Sequence, residues 1–320
     1  MPPKVSICIP TYNQTEYLRK TLESVLSQDF KDYELIITDD SDSLAVANLI
    51  QSYHFGNKLR YFKNQKCLNS PENWNFAIRL ALGEYVKILH HDDWFYENTS
   101  LRSFVNLLDQ HPESVFAFGR TTVWTHGSLH LHPVDSFELE KLAQTPEYLF
   151  IRNCIGSPSA TIFRNGLHLN FDRNLRWLVD VEFYIRILMH YPSFAFHNAP
   201  LIYTANQASH QVTQQYIHHK ENELTEYFYL FKRLELADKI PDRYSFVFKR
   251  LFQKYKIYQM KELTLLPDKI SKNTQYVLQK IIWEIVWEER KKTWLLLMKS
   301  AKNRLKKILK ALRILPLLKK

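Results

Sequence analysis

Apolar and polar positions alternate in blocks along the first third of this chain. Val5-Ser6-Ile7-Cys8-Ile9 predicts a strand that runs to Pro10, and Thr11-Tyr12-Asn13 follows as a loop. Leu18, Leu22, Val25 and Leu26 then recur at the spacing of a helix with one buried face. Tyr33-Glu34-Leu35-Ile36-Ile37-Thr38 predicts a second strand, which ends in Asp39-Asp40-Ser41. A third strand at Leu59–Phe62 leads through a polar loop to a helix around Asn73–Leu82. Residues 84–89 read as a buried fourth strand, because Tyr85, Val86, Ile88 and Leu89 suit a pleated, covered surface. It runs straight into Asp92 and Asp93. Strands alternating with helices predict an α/β fold, a mostly parallel sheet with flanking helices.

The polar residues collect at one end of these strands. Thr11 to Asn13, Asp39 to Ser41 and Asp92 with Asp93 all follow strand ends, where open α/β sheets bind ligands. Three such clusters on one edge read as a nucleotide site. Adjacent carboxylates there suit a divalent metal that holds a diphosphate. The other reading of the pair is a cap for a helix starting near Trp94. Asp180 precedes the helical run Val181, Phe183, Tyr184, Ile187, Leu188, so it reads either as a proton acceptor or as an N-cap. Gly156-Ser157-Pro158-Ser159 is a turn cluster, and Ala160-Thr161-Ile162-Phe163 a short strand.

With these residues in view, the chain resembles a family 2 glycosyltransferase with the GT-A fold. The matching stretches are Val5–Asn13, Ile36–Ser41, Asn73-Trp74-Asn75 with Gly83-Glu84-Tyr85-Val86, His91-Asp92-Asp93-Trp94, Gly156–Ala160 and Trp177–Phe183. Each is weak alone, but their order and spacing are jointly specific over about residues 4–215. The resemblance implies a Rossmann-like GT-A sheet and metal-assisted transfer of sugar from a nucleotide-sugar, usually a UDP-sugar, with inversion. It matches Pro10, Thr11, Tyr12 and Asn13 to the loop that holds the base, Asp39 to the residue that reads it, and Asn75 to a donor-side position. Asp92 and Asp93 match the end of a metal motif for Mn²⁺ or Mg²⁺, Asp92 also facing the donor. His90 stands where that motif often has its first Asp, which leaves fewer carboxylates. His210, in Ser209–Thr213, matches a His that in some relatives helps hold the metal or diphosphate. Asp180 matches the catalytic base, with Val179 in place of the usual Glu. The segment 155–164 lies near the acceptor in that family. The acceptor implied is a saccharide or a lipid-linked glycan of cell-envelope synthesis.

Composition and charge sharpen the domain reading. A chain of 320 residues with 45% hydrophobic content can hold one large domain plus an appendage. Cys8, Cys67 and Cys154 have neither metal-ligand spacing nor an even count, which suits a reducing cytosol. No basic-then-apolar leader precedes Val5, and no apolar run is long enough to span a bilayer. Net charge is −5 over residues 1–240 and +15 over residues 241–320. The expected division is a catalytic domain at 1–215 and a helical, basic region at 216–320.

That basic region ends in an amphipathic pattern. Met298, Ala301, Leu305, Ile308 and Leu312 share a helical face, Trp294 lies one turn earlier, and Lys299, Lys302, Lys306, Lys307, Lys310 and Arg313 supply charge. Such a helix can lie on an anionic membrane surface, giving a cytoplasmic protein peripheral to the inner face of the cell membrane. The competing reading packs it on the catalytic domain. No nucleic-acid motif accompanies the charge, so no nucleic-acid partner is expected. Two function classes follow: a glycosyltransferase, or a catalytically decayed GT-A-like binding or scaffold protein with a lipid- or nucleic-acid-binding tail. A nucleotidyltransferase ranks lower, because Pro10-Thr11-Tyr12-Asn13 lacks the glycine that such a phosphate loop needs.

Overall fold

A computed structural model describes residues 2–125, 128–205, 216–236, 244–263 and 271–314, with side chains described as far as 308 and excluding Thr125. The chain divides into two compact units, Met1–His219 and Lys220–Lys320.

In the first unit, β1 (Val5–Thr11) is buried at every position, as a strand covered on both faces must be. It lies between two parallel partners, β2 (Tyr33–Asp39) and β4 (Tyr85–Ile88). β3 (Leu59–Lys63) continues the parallel half beyond β2. Helix α1 (Glu16–Leu26) buries Leu18, Leu22 and Val25, one side of its surface. Helix α3 (Glu72–Arg79) stands where the sequence predicts one, and α2 (Ala45–Gln51), which the sequence pattern did not single out, completes the alternation.

The second half of the sheet is mixed. It comprises β5 (Asp93–Phe95), β6 (Phe116–Thr125), β7 (Ser128–Leu131), β8 (Thr161–Arg164) and β9 (Phe194–Ala205), with α4 (Ser100–Gln110), α5 (Ser136–Gln144) and α6 (Val179–His190) between them. The described strands form one sheet in the order β3-β2-β1-β4-β8-β6-β9-β5, with β7 paired to β6. β4 and β5 stand four places apart in that order, yet only residues 89–92 separate them along the chain. Fully extended, the five steps from Ile88 to Asp93 would reach only about 18 Å, and the connector is not extended, since Asp93 N–H donates back to His90 O at 3.0 Å, so the sheet curls to bring β5 back beside the end of β4.

One close contact sets the spacing between β1 and the segment that enters β4. A side chain at Gly83 would meet the Ser6 backbone nitrogen at 2.6 Å, so only glycine lets this segment lie against β1. There Gly83 N–H donates to Ser6 Oγ at 2.8 Å, Ser6 Oγ donates to Glu34 Oε1 at 2.6 Å, and Arg60 Nη1 reaches Glu34 Oε2 at 2.7 Å. Burial pushes the Glu34 carboxyl up, but the bonds from Ser6, Arg60 and the Leu82 N–H outweigh it and hold the group below its ordinary value.

The second unit is helical: α7 (Lys220–Arg233), α8 (Ser245–Tyr255) and α9 (Lys272–Ile314). Phe228 stacks on Phe248 with ring centroids 5.1 Å apart, and Phe231 meets Phe248 edge-on at 4.9 Å. α9 buries Val277, Leu278, Ile281, Ile282 and Ile285 and packs on α8. Lys249 of α8 pairs with Glu284 at 3.3 Å and Glu288 at 2.7 Å. Among the described residues no helix is long and apolar enough to cross a membrane.

Candidate functional site

The ends of β1, β2 and β3 are stitched into one rim. Asp40 N–H donates to Thr11 O at 3.0 Å, and Asn13 N–H donates to Ser41 Oγ at 2.8 Å. Asn13 exchanges hydrogen bonds with Asp42 through both ends of its amide, at 2.9 and 3.0 Å. Its backbone takes φ +47°, a left-handed conformation that asparagine tolerates. Tyr12 is half exposed at the rim, while Thr11 Oγ1 is buried with no hydrogen-bond partner.

Asp39 lies fully buried beneath this rim. Its Oδ1 accepts from Ser41 N–H at 2.8 Å, its Oδ2 accepts from Tyr61 O–H at 2.7 Å, and Lys63 stands 3.6 Å from Oδ2. Burial, and then the Asp39 carboxylate, push the Tyr61 phenol up, so Tyr61 remains a donor. Asp40 turns the other way. It accepts from Asn64 Nδ2, Leu68 N–H and Asn69 N–H and shapes the loop after β3.

His91 joins the rim to the Asp pair, with Nδ1 3.2 Å from Pro10 O. Asp93 is buried, and it opens strand β5 rather than capping a helix near Trp94. Trp94 and Phe95 pair in register with Tyr203 and Ile202, and the rings of Trp94 and Tyr203 lie 5.8 Å apart. This cross-strand packing overrides the local helix signal, and the next helix begins at Ser100. Ser157 Oγ donates to Asp93 Oδ2 at 3.2 Å. Burial and the neighbouring Asp92 push the Asp93 carboxyl well above its ordinary value.

His90, Asp92 and Asp93 each offer a ligand atom, and these atoms all lie within 4.8 Å of one another. Burial holds the His90 imidazole neutral, with its pKa down to about 4, and its buried Nε2 has no hydrogen-bond partner. A neutral imidazole beside two carboxylates that disfavour joint ionisation is a donor set that fits a divalent cation. The sequence marks His90 only as a lost carboxylate; the fold makes it a member of the cluster. Its ring packs against Trp74, centroids 4.5 Å apart.

Beneath the cluster lies a charge hidden in an apolar strand. Lys87 is fully buried on β4, its Nζ donating to Ile88 O at 2.9 Å and to Ser159 O. Phe104 and Phe95 crowd it, with ring centroids 4.6 and 5.8 Å from Nζ. Burial lowers its pKa to about 7, against the upward pull of Asp93.

Asp180 sits in the first turn of α6, inside the helix, with Leu178 at the cap position. Its Oδ1 accepts from Val181 N–H at 2.8 Å and its Oδ2 from Asn153 Nδ2 at 3.1 Å. Asn153 Oδ1 in turn accepts from the Gly156 N–H at 2.9 Å, fixing the turn that carries Ser157. Tyr184, one turn along α6, donates to Gly156 O at 3.2 Å, and burial, then Asp180 and Asp93, push its phenol well up. The segment 153–159 thus connects Asp93 to Asp180. Asn153 belongs to no motif and would have been found only by asking what orients Asp180.

Asn75 of α3 is bonded to the backbone of Phe171. Its Nδ2 donates to Phe171 O at 2.9 Å and its Oδ1 accepts from Phe171 N–H at 2.8 Å, tying α3 to that segment. His210 lies outside the described residues.

Comparison with known proteins bears on this arrangement. The family described as "Glycosyl transferase family 2" matches residues 6–163. The chain is 37% identical over 93 residues to the GalNAc(5)-diNAcBac-PP-undecaprenol beta-1,3-glucosyltransferase of Campylobacter jejuni, covering 28% of this chain and 30% of that protein. It is 26% identical over 262 residues to the putative colanic acid biosynthesis glycosyl transferase WcaA of Escherichia coli, covering 81% of this chain and 88% of that one. A Rickettsia typhi protein described as an uncharacterized glycosyltransferase matches at 29% identity over 58% of this chain and 59% of its own length. The chain therefore spans less than two thirds of the Campylobacter and Rickettsia relatives. Among solved structures, S. aureus TarS 1-349 in complex with UDP-GlcNAc superposes with a TM-score of 0.59 at 17% identity, over 88% of this chain and 80% of that one. The Pyrobaculum calidifontis mannosyltransferase PcManGT, in complex with GDP-Man and Mn2+, gives 0.53 at 14% identity over 90% and 87%. These structures share the fold. The matched residues carry both the stitched rim and the Asp pair, and the chain belongs to glycosyl transferase family 2, a family of transferases.

Proposed function

We propose that this chain moves a sugar from a nucleotide-sugar, a UDP-sugar in the first instance, to a hydroxyl of a saccharide or lipid-linked acceptor in glycan or envelope polysaccharide synthesis. The observation that carries this reading is the link through Asn153 and Ser157 between the His90, Asp92, Asp93 cluster and Asp180. That link supports reading the cluster as a cation-binding group and Asp180 as a proton acceptor of the same site.

Roles follow from the chemistry of each group. The half-exposed Tyr12 ring suits stacking on a base. Asp39 is assigned to the base, held rigid by Tyr61 and the Ser41 N–H. His90, Asp92 and Asp93 would hold Mn²⁺ or Mg²⁺. Such an ion, when bound, neutralises charge on the departing diphosphate. Asp180 takes the proton of the acceptor hydroxyl. The acceptor oxygen forms a bond to the anomeric carbon from the face opposite the leaving group, and the nucleoside diphosphate departs with the electron pair of the broken bond. The result is inversion. Positioning by Asn153 keeps the Asp180 carboxylate in one orientation for that transfer.

The region from 216 onward is assigned as a separate basic helical region that holds the protein at the inner, anionic face of the cell membrane. Residues 290–308 of α9 are exposed throughout, and the segment 290–314 carries ten Lys and Arg with no Asp or Glu. Screening UDP-sugars and other nucleotide-sugars with Mn²⁺ for binding and slow hydrolysis tests the proposal. Hydrolysis of one donor that Asp92→Ala abolishes is the expected result. No binding of any nucleotide-sugar would sink it in favour of a scaffold that has lost the reaction.

A further inference from the structure

α9 has a second apolar face, and it begins well before the basic end. Tyr276, Trp283, Trp287 and Trp294 are all more than half exposed. Their spacings of 7, 4 and 7 residues bring all four within about 20° of one direction on a helix of 3.6 residues per turn. Val277, Leu278, Ile281, Ile282 and Ile285, the residues buried against α8, point the opposite way. The helix therefore packs by one face and presents an aromatic ridge on the other. From Tyr276 to Trp294 the ridge runs about 27 Å, and Met298, Leu305 and Ile308 extend it.

The geometry points to this ridge as a membrane-interface surface, lying flat in the headgroup region of an anionic bilayer. The inference rests on the membrane assignment above and extends it some five turns towards the start of α9. Three features select lipid over a second protein copy. First, the exposed apolar groups at this end are Trp and Tyr, which place an apolar body and a polar edge at a bilayer surface. Second, the acidic residues of α9 lie off the ridge and are paired: Glu284 and Glu288 with Lys249, and Glu289 with Lys292 at 2.8 Å. Third, Lys291 Nζ sits 5.1 Å from the Trp287 ring, and beyond Glu289 the helix carries only positive charge. Two copies joined along this face would bring those charges together; anionic headgroups neutralise them.

The test uses the full chain with vesicles of phosphatidylcholine alone or with about 30% phosphatidylglycerol. Expected are flotation with the anionic vesicles only and quenching of tryptophan fluorescence by bromine-labelled acyl chains. Trp283→Ala/Trp287→Ala should weaken flotation about tenfold while leaving thermal unfolding and donor hydrolysis unchanged, because these side chains face away from α8. Trp283→Phe/Trp287→Phe, which preserves an apolar ridge, should still float but lose most of the quenching. Flotation undiminished in the alanine variant, yet abolished by removing residues 295–320, would overturn the ridge while leaving the membrane assignment in place. A native chain that ignores both vesicles overturns both. Concentration-dependent dimers that the alanine variant dissolves would assign the ridge to a second copy instead.

Discussion

Asn153 donates from Nδ2 to Asp180 Oδ2 at 3.1 Å while its Oδ1 accepts from the Gly156 N–H at 2.9 Å, so one amide fixes both the proposed base and the turn that reaches Asp93. Asp180→Asn should retain nucleotide-sugar affinity and lower kcat by about 10² to 10⁴. Asn153→Ala should lower kcat by about tenfold with KM for the donor little changed, since it removes orientation and not the carboxylate. Steady-state kinetics with isothermal titration of the donor separates these outcomes. An Asp180→Asn protein that turns over normally would reject the base assignment.

His90 should matter through the ion. His90→Ala is expected to weaken Mn²⁺ binding by about tenfold or more, measured by electron paramagnetic resonance of free Mn²⁺ without any turnover. His90→Asp should restore binding and shift preference towards Mg²⁺, because an oxygen replaces a nitrogen ligand. Equal Mn²⁺ affinity in the native and alanine proteins would remove His90 from the cluster's function.

Asp39 and Tyr61 give a prediction on the donor side. Asp39→Ala should cost about 1–3 kcal/mol of nucleotide binding and leave the Tyr61 hydroxyl short of its acceptor. Tyr61→Phe keeps the carboxylate and removes only its support, so the loss should be smaller. Nucleoside diphosphate titration checks the order. If Tyr61→Phe proves the more damaging, Asp39 serves the fold and not the base.

Lys87 sets a pH dependence whose sign is fixed by its burial. In the unfolded chain the amine stays protonated up to its ordinary value of 10.5, whereas in the folded protein it gives up its proton at about 7. Between those two values the unfolded state binds more protons, so folding stability should rise with pH by about 1.4 kcal/mol per unit relative to Lys87→Met. Urea unfolding of both proteins at several pH values within that window measures the difference. Parallel pH profiles would show that Lys87 remains charged in place.

The parallel half of the sheet was legible because each of its strands is rich in apolar, β-branched or aromatic residues and leads into polar ones. β5 was not. At Asp93–Phe95 it is too short to show a period, and its identity as a strand comes from Tyr203 and Ile202 across the ladder. The site was legible in its acidic residues, whose chemistry announces itself. Lys87 was hidden because a single charge in a strand reads as an outward position, although the fold buries it completely. The aromatic ridge was masked by its own helix: Trp283 and Trp287 interleave in the sequence with buried isoleucines, and which apolar residues face out shows only once the packing against α8 is known.

The short connector between β4 and β5 has a consequence for how such a protein can change. Leu89 N–H is held by Cys8 O at 2.9 Å, His90 N–H by Ser159 Oγ at 2.9 Å, and Thr21 Oγ1 lies 3.0 Å from His91 O and 2.8 Å from Asp93 O. Leu89, His90 and His91, three of the four residues of this bridge between the two halves of the curled sheet, are thus gripped from outside it. An inserted residue would have no slack to enter and would push β5 out of register with β9. Variation here is confined to exchanging one side chain for another, as His for Asp at position 90. Changes of length, the usual route by which loops acquire new partners, are left to the edges of the site.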